Sequence, residues 1–260
     1  NKMQGVLPFK LTEDQKNAAE HMLTEMEHGE RVDTLVQGDV GCGKTVVAEI
    51  CALAMAMNGF QCAVMAPTVV LATQHYEEFS KILGSFGYKT VFLRSGMKAK
   101  EEKSVLKEIE SGKAQIIVGT HSVISGKVKY HKLGLTIVDE EHRFGVEQRE
   151  ALKQKAKDGV HNVSMSATPI PRSLANTLYG EGTEIVNIHT MPAGRKPVKT
   201  IIWSNENSCY KSVYNQFKEG HQCYVVCPLI EDSDSESLEG VDSVETLSLI
   251  HISEPTRQEA

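Results

Sequence analysis

The chain has 260 residues, 40% hydrophobic and 24% charged, with a formal net charge of −6. That length supports one large core or one and a half smaller ones. Six scattered cysteines with no CxxC pair argue against a zinc site or a disulfide framework and for free thiols in a reducing cytosol.

The acidity is local. Residues 231–245 hold seven acids and no base, and outside them 28 basic residues face 27 acidic ones. The balance therefore does not argue against an anionic partner for the rest of the chain. The longest apolar stretch, ICALAMAM, is too short to span a bilayer. No signal peptide is expected, and Asn1 opens the chain as it would open a fragment.

Taken in order, the first predicted strand is 33–37, and it runs into QGDVGCGKT. Gly38, Gly43, Lys44 and Thr45 match the spacing G-x-x-x-x-G-K-[ST] between a predicted strand and a predicted helix. Glycines let backbone N–H groups, including that of Gly41, curl around phosphate oxygens that a Cβ would obstruct. The helix beginning near Lys44 adds the positive end of its dipole. Lys44 is predicted to reach the β- and γ-phosphates and Thr45 to hold Mg²⁺. Cys42 is expected to contribute only its backbone.

Further strands are predicted at 61–67, 89–94, 114–120, 135–140, 162–168 and 184–189, with helical patterns between most of them. Runs apolar on both faces and separated by helices predict an α/β fold: a parallel sheet covered by helices on both sides, with the phosphate loop at its first strand. Ligands bind such sheets beyond the carboxyl ends of the strands, where Gly38, Pro67, Thr120, Asp139 and Ser166 fall. LTIVDEEH ends the fifth strand with two adjacent acids, which need positive charge nearby. Alone they could equally cap a helix. Paired with the phosphate loop, Asp139 is expected to bind Mg²⁺ through water, and Glu140 to orient and deprotonate the attacking water.

MPAGRKP, residues 191–197, has a linker composition. A strand at 198–203, a helix at 208–220 and a strand at 222–230 then open a second α/β unit. Residues 231–245 read as a solvated loop, and 247–260 continue neither periodicity.

These words resemble a known family. DEEH after this phosphate loop is similar to a DExH-box superfamily 2 helicase. SAT (166–168) resembles its motif III, APTVVLATQH (66–75) its motif Ia and VGTHSVI (118–124) its motif Ib. LPFKLTEDQ, QGDVGCGKT, GTHSVI, DEEHRFGVEQR, SATPIPRSL, MPAGRKPVKT and GHQCYVVCPLIEDS, in this order, resemble the RecG family of bacterial translocases that remodel branched DNA and stalled forks. The match runs from about Leu7 to about Thr246. The Mfd family of transcription-repair coupling translocases shares the phosphate loop, DEEHRFG and ATPIPR and is the alternative. Val69 and Glu141 depart from the RecG pattern, which more often has glutamate and glutamine there.

The resemblance implies a RecA-like P-loop parallel sheet with helices on both faces as helicase lobe 1 over 1–190, an interlobe linker over 191–197, the start of a truncated RecA-like lobe 2 over 198–246 and an atypical tail over 247–260. It also implies a cytoplasmic, nucleoid-associated, monomeric motor that uses ATP and Mg²⁺ on forked duplex DNA through backbone contacts, with no membrane partner. Gln15 would read the adenine edge, with Phe9 or Leu11 packing nearby; without the family, Gln15 is an exposed helix residue. His142 would link the γ-phosphate site to motif III, and Ser166 and Thr168 would carry that link to DNA. Thr68, Gln74, Thr120 and His121 would lie along the DNA track; otherwise they are caps and turns. Arg143, Arg149 and Arg172 would contact DNA or the other lobe, or form surface salt bridges. Processive movement would need motifs IV to VI, expected beyond this stretch. The sequence bears on two other classes. A GTPase switch would require Asn-Lys-x-Asp after a strand, which the sheet lacks. A nucleotide-dependent DNA-binding module without catalysis in this stretch stays as a second alternative, while Glu140 argues that the parent is catalytic.

Overall fold

The computed structural model describes residues 7, 9–153, 155, 159–168, 182–192, 198–224 and 226. Arg172, the acidic segment 231–245, residues 193–197 of the predicted linker, 227–230 of the last predicted strand and the tail 247–260 lie outside the described residues, as does the side chain of Arg149.

Seven parallel strands form one sheet: β1 (Asp33–Gly38), β2 (Gln61–Met65), β3 (Thr90–Leu93), β4 (Ile116–Gly119), β5 (Leu133–Asp139), β6 (His161–Ser166) and β7 (Glu184–Ile188). Their order is β3-β4-β2-β5-β6-β1-β7. Parallel neighbours need crossovers, and helices supply them: α2 (Lys44–Met57), α3 (Val69–Gly84), α4 (Ala99–Glu110) and α5 (Val146–Lys153), with α1 (Glu13–Glu27) ahead of β1.

Successive strand residues point to opposite faces. Cys62 and Val64 of β2 accordingly join one apolar cluster with α1, α2 and α3, while Ala63 and Met65 join a second with Ile109 of α4 and Leu152 of α5. Each fully buried side chain such as Phe79, Ile116 or Leu135 contributes about 1.5–3 kcal/mol. Helix α1 starts at a capping box: the Thr12 hydroxyl accepts from the Gln15 N–H, and the Gln15 side chain accepts from the Thr12 N–H at 2.9 Å. In α1, Gln15, Ala18, Ala19 and Met22 share the buried stripe. Asp14 ties this helix to the end of β7, its Oδ2 accepting from the N–H groups of His189 and Thr190 at 3.0 and 2.8 Å.

From β2 to β7 the strands end one or two residues short of the predicted ends, while β1 runs one residue further, to Gly38. Thr68 caps α3, accepting from the Leu71 N–H, and Ser166 begins a turn with Thr168, so the chain leaves the ladder earlier.

The chain divides into two compact units, Asn1–Arg195 and Lys196–Ala260. In the second, α6 (Glu206–Lys218) forms close to expectation behind the cap Asn205, whose side chain accepts from the Asn207 N–H. The strand predicted at 198–203 does not form, nor does the described part of the one at 222–230. Ile202 is 95% exposed and Val226 91% exposed. β-propensity yields a strand only where a second strand completes the ladder.

Candidate functional site

The phosphate loop leaves β1 at Gly38 and enters α2 at Lys44. Gly41 and Gly43 have φ of 78° and 87°, the left-handed region that glycine adopts without penalty. A Cβ on Gly43 would lie 2.2 Å from Gln15 Nε2. A Cβ on Gly38 would lie 2.5 Å from Cys42 Sγ and 2.6 Å from the Ile188 carbonyl. The spacing of glycines thus reflects packing beneath the loop as well as room above it. Cys42 does more than lend backbone: its side chain is fully buried against Gly38, and burial raises its thiol pKa.

Gln15 is not an exposed helix residue. It is 1% exposed, and its Nε2 donates to the Cys42 carbonyl at 2.7 Å. Its amide therefore braces the phosphate loop from below while it caps α1. Lys44 Nζ donates to the carbonyls of Gly38 and Asp39 at 2.7 and 3.1 Å. The ammonium is held over its own loop, within reach of whatever anion the loop N–H groups collect.

Asp139 ends β5, two strands from β1, and Ser166 ends the intervening β6. Asp139 Oδ1 accepts from the Glu140 N–H at 3.0 Å, and Oδ2 pairs with His75 Nε2 at 2.7 Å. Glu140 has φ 49° and ψ 51° and is the sole non-glycine residue with positive φ among the described residues. Such a backbone costs on the order of 1–3 kcal/mol and persists where its surroundings over-determine it. His142 is exposed, its Nδ1 3.4 Å from Glu140 Oε2. Ser166 is buried, and its Oγ accepts from the Thr168 N–H at 3.2 Å and lies 3.0 Å from Thr168 Oγ1.

A cavity of about 460 Å³ opens beside the loop, bordered by Phe9, Lys44, Thr45, Glu49, Glu78 and Lys81. Glu49 is 3% exposed on α2. Burial, with the Glu78 carboxylate nearby, pushes its carboxyl up to about 8. A second cleft of about 580 Å³ lies past the ends of β3 and β4, bordered by Arg94, His121, Ser122 and Lys127. Thr120 is buried beside it. Thr68 caps α3, and Gln74 sits on the exposed side of that helix, six residues in from the cap rather than at a strand end.

Two residues escaped the sequence reading. His75 follows Gln74 in the same word, and the stripe Ala72, His75, Phe79, Leu83 would have marked it as the polar member of a buried face. Glu49 is the lone acid in KTVVAEICALAMAM, an anomaly in an otherwise apolar helix.

A phosphate loop and an acidic strand end in one parallel sheet, with a serine-bearing strand between them, define a P-loop nucleotide-binding fold. The model of the DEAD/DEAH box helicase family matches residues 12–177, and the chain belongs to that family. Within it the chain is RecG-like. It is 43% identical over 235 residues to the ATP-dependent DNA helicase RecG of Aquifex aeolicus, covering 89% of this chain and 30% of the relative. It is 40% identical over 245 residues to that of Borreliella burgdorferi, covering 94% and 35%. A solved structure of RecG bound to a three-way DNA junction superposes with a TM-score of 0.79 at 36% identity, over 95% of this chain and 32% of that one. The DEAD-box helicase Mss116 bound to ssRNA shares the fold at a TM-score of 0.60 and 18% identity. The chain spans about a third of the curated relatives' length. No described helix is long and apolar enough to cross a membrane.

Proposed function

We propose that this chain is the ATP-binding lobe, with the opening of a second, of a RecG-type motor that hydrolyses ATP to move on branched duplex DNA. The observation that carries the reading is the pairing of a braced phosphate loop with Asp139 and Glu140 in one sheet, in a chain so similar to RecG helicases. In this reading residues 1–190 are lobe 1, 191–197 the linker and 198–246 the start of lobe 2.

The residues fit the substrate and its metal. The glycine cradle leaves N–H groups free of obstructing Cβ atoms, and Lys44 supplies a point charge suited to phosphate. The Thr45 hydroxyl and the Asp139 carboxylate are hard oxygen donors of the kind Mg²⁺ takes, directly or through water. Bound there, Mg²⁺ would neutralise charge on the phosphate oxygens. Glu140 takes the proton of the attacking water, its carboxylate aimed by the left-handed backbone and neighboured by His142. Ser166, at the end of the strand between loop and acids, and Thr168, in the turn that follows, relay the state of that site. Gln15 couples adenine recognition to the loop it braces, and Phe9 borders the adjoining cavity. Thr68, Gln74, Thr120 and His121 run along the DNA side, making sequence-independent backbone contacts. The motor works as a cytoplasmic monomer. Lobe 2 supplies the arginines that stabilise the transferring phosphoryl group, an effect worth ~10³ to 10⁵ in rate in comparable systems.

Two measurements test this. Calorimetric titration with a non-hydrolysable ATP analogue should show Mg²⁺-dependent binding and discrimination against GTP. Hydrolysis by the 260-residue chain with forked DNA should stay far below the typical enzyme median of ~10 s⁻¹. A preference for GTP would refute the nucleotide assignment, and rapid DNA-stimulated turnover would mean that the arginines are misplaced.

A further inference from the structure

Helix α3 carries one polar residue on its buried stripe. Ala72, Phe79 and Leu83 are fully buried, and His75 among them is 5% exposed, its ring edge-on to Phe79 at 6.4 Å. An imidazole on such a face is an unfavourable choice unless it has a partner. It has one: Nε2 lies 2.7 Å from Asp139 Oδ2, with both side chains largely shielded from solvent. A carboxylate accepts, so the hydrogen sits on Nε2. The other ring nitrogen, Nδ1, is buried without a hydrogen-bond partner among the described residues. The imidazole's whole polar interaction is therefore spent on this one carboxylate.

The carboxylate is held from two sides. His75 holds Oδ2, and the Glu140 N–H holds Oδ1 at 3.0 Å. Two hydrogen bonds to different oxygens fix the plane of the group, and the remaining lone pairs have one orientation. Glu140 reaches Asp139 through the chain itself, by its left-handed backbone. His75 comes from a separate element 64 residues earlier, whose first residues follow the cap Thr68, past the end of β2 at Met65.

We propose that His75 is the positioning residue for Asp139, orienting its carboxylate for the nucleotide's metal and binding that orientation to the placement of α3. The proposal rests on the reading of Asp139 as a metal ligand. It adds that the ligand's geometry is set by a helix which, in the same reading, borders the DNA side. A shift of α3 along its axis changes the one hydrogen bond that Asp139 shares with another side chain among the described residues. The metal site and the α3 surface are thereby coupled without a residue that touches both ligands.

The test measures binding by the 260-residue chain, so it does not depend on turnover. Affinity for a non-hydrolysable ATP analogue is titrated with Mg²⁺ and with the metal chelated, for wild type, Asp139→Asn, His75→Leu and His75→Gln. Asp139→Asn should remove most of the gain in affinity that Mg²⁺ confers. His75→Leu should cut that gain roughly 10-fold to 100-fold, the range seen when outer partners of metal ligands are lost. Metal-free affinity should move by less than about twofold, because His75 lies outside the cradle for the phosphates. His75→Gln, whose amide nitrogen can reach the Nε2 position, should restore most of the gain. A wild-type Mg²⁺ gain in His75→Leu alongside a lost gain in Asp139→Asn overturns the proposal and leaves the metal assignment standing. A wild-type gain in Asp139→Asn overturns both. Loss of metal-free affinity in His75→Leu and His75→Gln alike shows a merely structural role and overturns it too.

Discussion

Two of the clefts in the first unit, the one beside the phosphate loop and the one past β3 and β4, are built differently. The phosphate loop at the edge of the first is shaped by backbone: left-handed Gly41 and Gly43, the Gln15 amide under Cys42, and Lys44 tied to two loop carbonyls. The cleft past β3 and β4 is shaped by side chains at the surface: Arg94 and His121 are exposed, and Lys127 pairs with Glu102 at 3.1 Å. A site made of backbone conformation tolerates few residues at each step and is rigid before its ligand arrives. A site made of exposed side chains is tolerant, screened by salt and modest in each contact. Substitutions should therefore act sharply in the first cleft and gradually in the second.

The largest effect is expected from Gly43→Ala. The new Cβ would stand 2.2 Å from Gln15 Nε2 at a φ of 87°. The strained backbone costs on the order of 1–3 kcal/mol. Relief requires either the loop or its Gln15 brace to move. Binding of an ATP analogue should fall below detection by calorimetry, and thermal melting should drop by roughly 2–4 °C per kcal/mol. Wild-type affinity in this variant would mean that the loop is not backbone-determined.

Next is Lys44→Ala, which removes charge and leaves the glycines. Its loss should be roughly 1.5–3 kcal/mol, about 10-fold to 150-fold in affinity, from one charge-assisted contact. Melting should hardly change, since the ammonium's partners are loop carbonyls at a partly exposed site. Equal affinity in wild type and Lys44→Ala would remove the phosphate-binding role. The contrast between the two variants separates backbone shape from charge within one cleft.

The same distinction explains what was legible in advance. Gly38, Gly43, Lys44 and Thr45 announce themselves because a backbone cradle restricts residue type at a fixed spacing. The seven strands of the first unit were legible too, since runs apolar on both faces have few other uses. Gln15 was not legible in its own stretch: local pattern made it an exposed helix residue and only the family resemblance implied an adenine contact, while the bond to Cys42 joins residues 27 positions apart, and no local pattern reports such a distance. His75 was missed although the α3 periodicity held the signal, because its partner Asp139 lies in another word. The strand expected at 198–203 failed for the converse reason. Its local pattern is β-like, but pairing is a non-local property, and Val198 and Ile202 stand in solvent.

Glu49 extends the comparison to pH. Its carboxyl keeps its proton up to about 8 in the folded chain, against 4.5 for an ordinary glutamate. Between those values the folded chain binds more proton than the unfolded one, so stability declines as pH rises from about 4.5 to about 8. Below that window both states are protonated, and above it both are ionised with the burial penalty complete. Glu49→Gln keeps the shape and removes the titration. Its advantage in melting temperature over wild type should be small at pH 5 and grow through the window to a few degrees, each ~1 kcal/mol giving roughly 2–4 °C. An advantage independent of pH would show that Glu49 is not held protonated by its burial beside the phosphate loop.

The smallest effects belong to the second cleft, and they are the ones that identify its ligand. If duplex DNA tracks past the ends of β3 and β4, Arg94 and Lys127 each neutralise about one phosphate and release its counterion. The slope of log affinity against log salt should then flatten by about 0.9 for Arg94→Ala and again for Lys127→Ala. Affinity itself should weaken a few-fold and equally across sequences, because phosphate contacts carry no base information. Lys127 gives up its pair with Glu102 to do this, so its contribution should be the lesser of the two. Fluorescence anisotropy with labelled duplex across a salt series measures both quantities, and Lys44→Ala is the control that should leave the slope unchanged. Unaltered slopes in both cleft variants would move the DNA path elsewhere on the lobe. A change confined to one DNA sequence would replace backbone tracking with base reading, and the contrast between a rigid nucleotide cleft and a tolerant DNA cleft would no longer hold.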